Sequence, residues 1–228
     1  VYELLHHSAI DLAEWFSIVI FVIQVSPMPK VGMQPIRRQQ LIDATLAAVN
    51  ELGFAESSIS QIAQRAGVST GIISHYFGGK NGLIEATMRY LLQQLGKSVA
   101  EMQSQVDSTP EQRLLAIVRG NFAAPQTDKA AMKVWLAFWA SSLHQPDLHR
   151  LQQVNHYRLH SNIKYEFMKA LPKAQAEKAA QGLAALIDGF WLRGALINEE
   201  LDPEMPIELC SDYIRQQLKN DSTARESH

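Results

Sequence analysis

Two groups of aromatic residues in the second half of the 228-residue chain have the types and spacing for ligand chemistry. Trp135, Phe138 and Trp139 recur at i, i+3 and i+4, one stripe of a single helix, and Phe190-Trp191 follow Asp188 closely on a later segment. Aromatic faces attract a cation that cannot donate a hydrogen bond, each contributing about 0.5–2 kcal/mol, and a nearby carboxylate balances the charge. A stripe at this spacing is also what a helix buries in a hydrophobic core, so both uses stay open. Tyr157, Asn121 and Phe122 are weaker candidates for the same site.

Four histidines, His144, His149, His156 and His160, raise a second chemistry, a metal-dependent helical enzyme. His156 and His160 are one helical turn apart, but no cysteine and no acidic residue at ligand spacing joins them, so a solvated polar face accounts for them better. No nucleophile elbow or phosphate-cradling glycine loop accompanies them, and Gly78-Gly79 reads as a helix break. The expectation is no catalytic site, no metal and no cofactor.

A third chemistry lies upstream, between Ser58 and Phe77. Two short helices joined at Gly67-Val68-Ser69 have the helix-turn-helix spelling, in which the second helix enters the DNA major groove. Ile62, Ala63, Ala66, Val68 and Ile73 are placed to pack the pair together, leaving Thr70, Gly71, Ser74 and His75 facing outward. Arg37, Arg38, Arg65, Tyr76 and Lys80 surround them as donors to phosphate oxygens. An ordinary helical hairpin with a basic face has the same spacing.

Helices alone must position these residues. Beyond Met28 apolar residues recur at helical spacing and no strand alternation of useful length is found, so the chain is expected to be all-α. Leu41, Ile42, Thr45, Leu46, Val49 and Leu52 line a first helix ending at Gly53. Ser58-Ile59-Ser60-Gln61 is a capping box opening the second, Thr70–Phe77 is the third, and Lys80 starts a long fourth. Thr109-Pro110-Glu111-Gln112 starts a fifth, and Pro125, Pro146, Pro172 and Pro203 punctuate the remainder. Nine helices are expected, the later ones over 110–123, 128–144, 147–171, 173–200 and 207–219. Ala179, Leu183, Leu186, Ile187, Phe190 and Leu196, with Ile207, Leu209, Tyr213 and Ile214, form apolar faces that predict a homodimer through the last two helices.

Charge is locally uneven beneath a net value of −2. Residues 28–97 hold seven basic against four acidic side chains, whereas 1–27 hold three acidic and no basic ones. Trp15–Val25 is very apolar but about half the roughly 20 residues of a membrane-spanning helix, and no basic n-region precedes it, so neither a span nor a signal peptide is expected. The restart at Met28-Pro29-Lys30 suggests that 1–27 is an upstream extension outside the fold. One cysteine, Cys210, excludes an intrachain disulfide and fits a reducing cytoplasm.

Ile62-Ala63, Ala66-Gly67-Val68-Ser69, Gly71, Tyr76-Phe77, Lys80 and Leu83 together resemble the DNA-binding domain of tetracycline-repressor-type (TetR) regulators. Ser74 departs from that pattern, since many members carry Tyr there, which shifts the expected base contacts to His75 and Thr70. Ala131–Ser142, His144-Gln145-Pro146 and Gly182–Arg193 resemble the choline-responsive branch of the family, the repressors of glycine betaine synthesis. The resemblance implies a helix-turn-helix domain over 28–80, a ligand-binding and dimerisation domain over 81–219 and a disordered tail over 220–228. It implies a cytoplasmic homodimeric repressor of genes for choline uptake and betaine synthesis, with no membrane partner. Its partners would be a palindromic double-stranded operator and choline, the latter held by Trp135, Phe138, Trp139, Asp188, Trp191 and Tyr157. A TetR-type repressor with a different hydrophobic or cationic ligand is the alternative within the fold.

Overall fold

The computed structural model describes residues 34–124, 127–197 and 201–225, and the segment 1–27 lies outside them. The chain divides into two compact units, 1–36 and 37–228, of which the first is represented only by the opening residues of a helix.

Among the described residues every regular element is an α-helix, nine in all. They are α1 (Gln34–Glu56), α2 (Ile59–Arg65), α3 (Thr70–Phe77), α4 (Lys80–Ser104), α5 (Pro110–Asn121), α6 (Lys129–Ser142), α7 (Pro146–Met168), α8 (Lys173–Leu196) and α9 (Glu204–Arg225). None is long and apolar enough to cross a membrane.

Local chemistry sets most boundaries. Ser58 Oγ accepts from the Gln61 amide at 3.2 Å while Gln61 Oε1 accepts from the Ser58 amide at 2.8 Å, closing the capping box of α2. Thr109 Oγ1 caps α5 by accepting from the Gln112 amide, with Pro110 in the first turn. Gly67 at φ 64° and Gly78 at φ 73° take the left-handed conformations that end α2 and α3. Several helix ends differ by a few residues from those read in the sequence, and two differences matter most. The first helix resumes beyond Gly53, whose φ of 79° kinks rather than ends it, and Leu52, expected on the apolar face of that helix, is 37% exposed just before the kink. The last helix starts at Glu204 and runs to Arg225, past Lys219 where a disordered tail was expected, because no Gly or Pro stops it.

Two cores form. The smaller gathers Leu41, Ala44 and Ala48 of α1, Ile62 and Ala63 of α2, Ile73 of α3 and Leu83 of α4. The larger runs from Met88, Leu91, Leu95 and Val99 of α4 through α5 to α9. Helix α4 therefore contributes to both cores. Close approach in the larger one depends on Gly120, where a Cβ would lie 2.5 Å from Val99 Cα. Cys210 is fully buried there, and desolvation pushes its thiol up to about 12, which leaves it protonated and unreactive at neutral pH.

Candidate DNA-reading head and ligand cavity

Helices α2 and α3 form the expected helix-turn-helix, with the Val68 amide donating to the Ala63 carbonyl across the turn at 3.0 Å. Buried Ile62, Ala63 and Ile73 hold the pair, and Thr70, Gly71, Ser74 and His75 are all exposed on α3. No carboxylate lies on α3, so this outward face carries no charge that would repel a phosphate wall.

The basic residues around α3 divide by what they already hold. Arg38 donates to the Tyr76 carbonyl at 2.8 Å and stacks its guanidinium 4.5 Å from the Phe77 ring centre, tying the start of α1 to the end of α3. Arg65 forms a two-pronged pair with Glu51, which keeps the Glu51 carboxyl below its ordinary range through the hydrogen bond. Both arginines thus brace the head as well as adding positive charge. Arg37 donates to Gln40 on the exposed first turn of its own helix, and Lys80 sits at the start of α4 directly after the α3 terminus.

Within the second half, five helices converge on a small cavity. Trp135 and Trp139 come from α6, Asp188 and Trp191 from α8, Asn121 from α5, and Leu95 from α4. Asn155 and Leu159 of α7 complete the wall with Ile187. The indoles of Trp135 and Trp191 meet edge to face, with ring centres 5.6 Å apart. Burial raises the Asp188 carboxyl above its ordinary range, and the neighbouring His156 partly offsets the rise. The internal space is about 20 Å3, room for roughly one water.

Trp135, Trp139, Trp191 and Asp188 are therefore brought together, but Phe138 and Tyr157 are not. Phe138 is fully buried and packs its ring 5.8 Å from Trp135 without reaching the cavity wall, because α6 is covered by both α7 and α8 and its stripe is wider than the cavity. Tyr157 is 66% exposed on the outer side of α7. Of the two weaker candidates, Asn121 reaches the wall, whereas Phe122 packs against Phe190 in the core with ring centres 6.3 Å apart. Asn155 and Leu159 are not legible in the sequence, because α7 has too little apolar contrast to reveal which face turns inward.

Around the histidines no group of three or more metal-ligating side chains occurs among the described residues. His156 and His160 stack on each other, with ring centres 6.4 Å apart, and His160 lies 3.2 Å from Glu177. Desolvation lowers the His160 ring below its ordinary value, so at neutral pH it is an uncharged neighbour of that carboxylate.

Comparison with known proteins places this geometry. Residues 110–219 match the family model of the BetI-type transcriptional repressor C-terminal domain, and 41–87 match that of bacterial regulatory proteins of the tetR family. An HTH-type transcriptional regulator BetI from Serratia proteamaculans is 63% identical over 193 residues, covering 84% of this chain and 98% of the relative. The chain belongs to the TetR family, as a BetI-type transcriptional repressor. A Pectobacterium atrosepticum relative of the same name is 62% identical with the same coverage. Solved structures share the fold at lower identity. A transcriptional regulator from Rhodococcus sp. Rha1 superposes with a TM-score of 0.71 at 22% identity, covering 80% of this chain and 96% of that one. A regulator from Saccharomonospora viridis, solved in complex with choline, superposes at 0.66 with 21% identity, covering 78% and 95%.

Membership gives the two cores their roles. A TetR-family repressor is a DNA-binding regulator and not an enzyme, so the metal-enzyme reading of the histidines falls with it. The matched N-terminal model spans the helix-turn-helix, and the C-terminal model spans every helix from α5 to α8 and most of α9.

Proposed function

We propose that this repressor is released from its operator by choline, and that it controls genes for choline uptake and glycine betaine synthesis in the cytoplasm. The observation that carries the reading is the convergence of Trp135, Trp139 and Trp191 with the half-buried Asp188 on one cavity. A trimethylammonium group needs aromatic faces and one counter-charge, and it needs them where water is scarce. The name of the close relatives and the choline held by the Saccharomonospora viridis neighbour support the same ligand.

The operator would be a palindromic duplex read by two copies of α3 in a homodimer. Ala179, Leu183, Ile187 and Ile214, expected at the dimer interface, are buried within the chain's own core instead. Leu192, Leu196, Met205 and Leu209 are large apolar side chains that α8 and α9 leave exposed, and they are the better candidates for covering by a second copy.

Choline acts by binding one arrangement of α4–α8 better than another, since a ligand with equal affinity for both shifts nothing. The cavity is too small for it as it stands, so entry spreads α6 and α8 and displaces the α4 wall at Leu95. Helix α4 also carries Leu83 in the head core, which makes it the lever. A DNA-binding titration of wild type and Trp139→Ala with and without choline tests this. Wild type should lose operator affinity with choline, the variant should bind the operator and ignore choline, and betaine should be the weaker effector because its carboxylate brings a second negative charge into the small cavity that already holds Asp188. An unchanged choline response in Trp139→Ala would return the indole to a packing role.

A further inference from the structure

The ligand cavity contains two hydrogen-bond donors that the protein leaves unanswered. Trp135 Nε1 and Trp139 Nε1 are both buried and neither has an acceptor, although both residues line the cavity. A buried N–H without a partner is costly, and cores that need only bulk avoid the expense by using Phe or Leu. Two such donors on adjacent turns of one helix, both on residues that line one small space, call for an acceptor that the fold does not supply.

The cation itself cannot be that acceptor. A quaternary nitrogen has no lone pair, and its methyl groups accept nothing, so the indole faces and Asp188 account for the positive end while the two N–H groups stay unexplained. The other polar side chains of the wall do not relieve them. Neither Asn121 nor Asn155 accepts from an indole, since Asn121 holds the Ile117 carbonyl through Nδ2 at 2.8 Å and Asn155 Oδ1 accepts from Arg158 at 3.2 Å.

We propose that Trp135 and Trp139 read the ligand through their indole N–H groups, so that the cavity selects a quaternary ammonium carrying an oxygen acceptor over one of equal size and charge without it. This rests on the choline reading above and sharpens it, for it divides the site into a cation end at Trp191 and Asp188 and an oxygen end at Trp135 and Trp139. Specificity of this kind is steep. Pockets distinguish a missing methylene weakly, but they reject an analogue that strands their buried polar groups.

The test compares choline with propyltrimethylammonium, in which a methyl group replaces the hydroxyl, by calorimetric titration of the full chain. Wild type should bind choline about tenfold or more tightly than the isostere. Trp139→Phe and Trp135→Phe keep an aromatic face and remove one donor each, so in them the gap should narrow to about threefold or less, with isostere affinity kept. Because Trp135 is deeply buried and its variant risks misfolding, a second readout uses wild type alone. The indole N–H resonances of Trp135 and Trp139 should move downfield with choline and stay nearly still with the isostere. Equal affinity for the two compounds, or equal resonance shifts, would overturn this inference and leave the choline reading intact. Failure of choline to bind a preparation that still binds operator would remove the choline reading, and this inference with it.

Discussion

Arg158 on α7 donates from Nη1 to the main-chain oxygen of Leu92 on α4 at 3.3 Å, while its Nη2 donates to Asn155 in the cavity wall at 3.2 Å. One side chain therefore touches both the cavity wall and the middle of α4. Burial lowers its guanidinium to about 10, so it stays charged at neutral pH. Gly96 leaves the space it occupies, since a Cβ there would lie 3.1 Å from Arg158 Nη1.

That link predicts separable binding and response. Arg158→Gln should keep choline affinity within about threefold, while the factor by which saturating choline lowers operator affinity, usually about 5–150 for an effector, falls several-fold. Calorimetry for choline and fluorescence anisotropy for DNA read the two quantities independently. A full response in the variant would show that the coupling runs elsewhere along α4.

Asp188 predicts a conflict between stability and function. Because burial raises its carboxyl in the folded state, the native form holds the proton more tightly than the unfolded chain does. The stabilisation is present below the ordinary carboxylate value and is lost as pH rises through the raised one. Asp188→Asn should therefore raise Tm at pH 7 and flatten its acid dependence, while weakening choline by about tenfold or more through loss of the counter-charge. Thermal melts between pH 4 and 8, paired with choline titrations, check it, and a lower Tm at pH 7 would contradict the burial account.

In the head, charge and base reading should come apart. Lys80→Ala is expected to weaken binding to every duplex and reduce the salt slope by roughly 0.9 for each phosphate it no longer neutralises. His75→Ala and Thr70→Ala should instead relax discrimination between operator variants, at about 1–3 kcal/mol for each base whose edge is no longer read. Arg38→Ala is a mixed case, since its guanidinium also holds the Tyr76 carbonyl, and it should lower Tm as well as affinity. Salt titrations on specific and scrambled duplexes separate these outcomes.

Three glycines predict three different costs. A Cβ at Gly82 would collide with the main-chain oxygen of Phe77, so Gly82→Ala must push the end of α3 away from α4 and should abolish operator binding. At Gly120 the obstacle is the backbone of Val99, and Gly120→Ala should cost about 1–3 kcal/mol of stability. Gly189 meets nothing, so Gly189→Ala should be neutral or stabilising by up to about 1 kcal/mol. Urea melts and DNA titrations on the three variants give the ranking.

Helix number and most helix starts are legible in the sequence because they depend on local chemistry, as at Ser58 and Thr109, whose caps form within three residues. The cavity is legible only in part. Trp135, Trp139 and Asp188 announce themselves by type, but whether Phe138 faces the cavity or the core depends on which neighbours cover α6, and no local spacing encodes that. The apolar face of α8 misleads for the same reason. Its alanines and leucines look surplus in isolation, yet packing within the chain consumes them, as when Tyr213 of α9 closes on α8 by donating to the Ala179 carbonyl at 3.3 Å. Charge alone marks Arg38 and Arg65 as phosphate donors, whereas their intramolecular partners are residues distant in sequence.

A cavity with room for about one water has a kinetic consequence. On the proposed choline reading, an inducer of that size would wait for the wall to part, so its capture rate would rise with concentration only until parting became the slow step and then level off. The repressor would then average over brief pulses of choline and answer only to a supply that outlasts the opening time. Closeness of packing around three indoles would thus set how quickly the cell commits to a response, independently of how tightly the inducer is finally held.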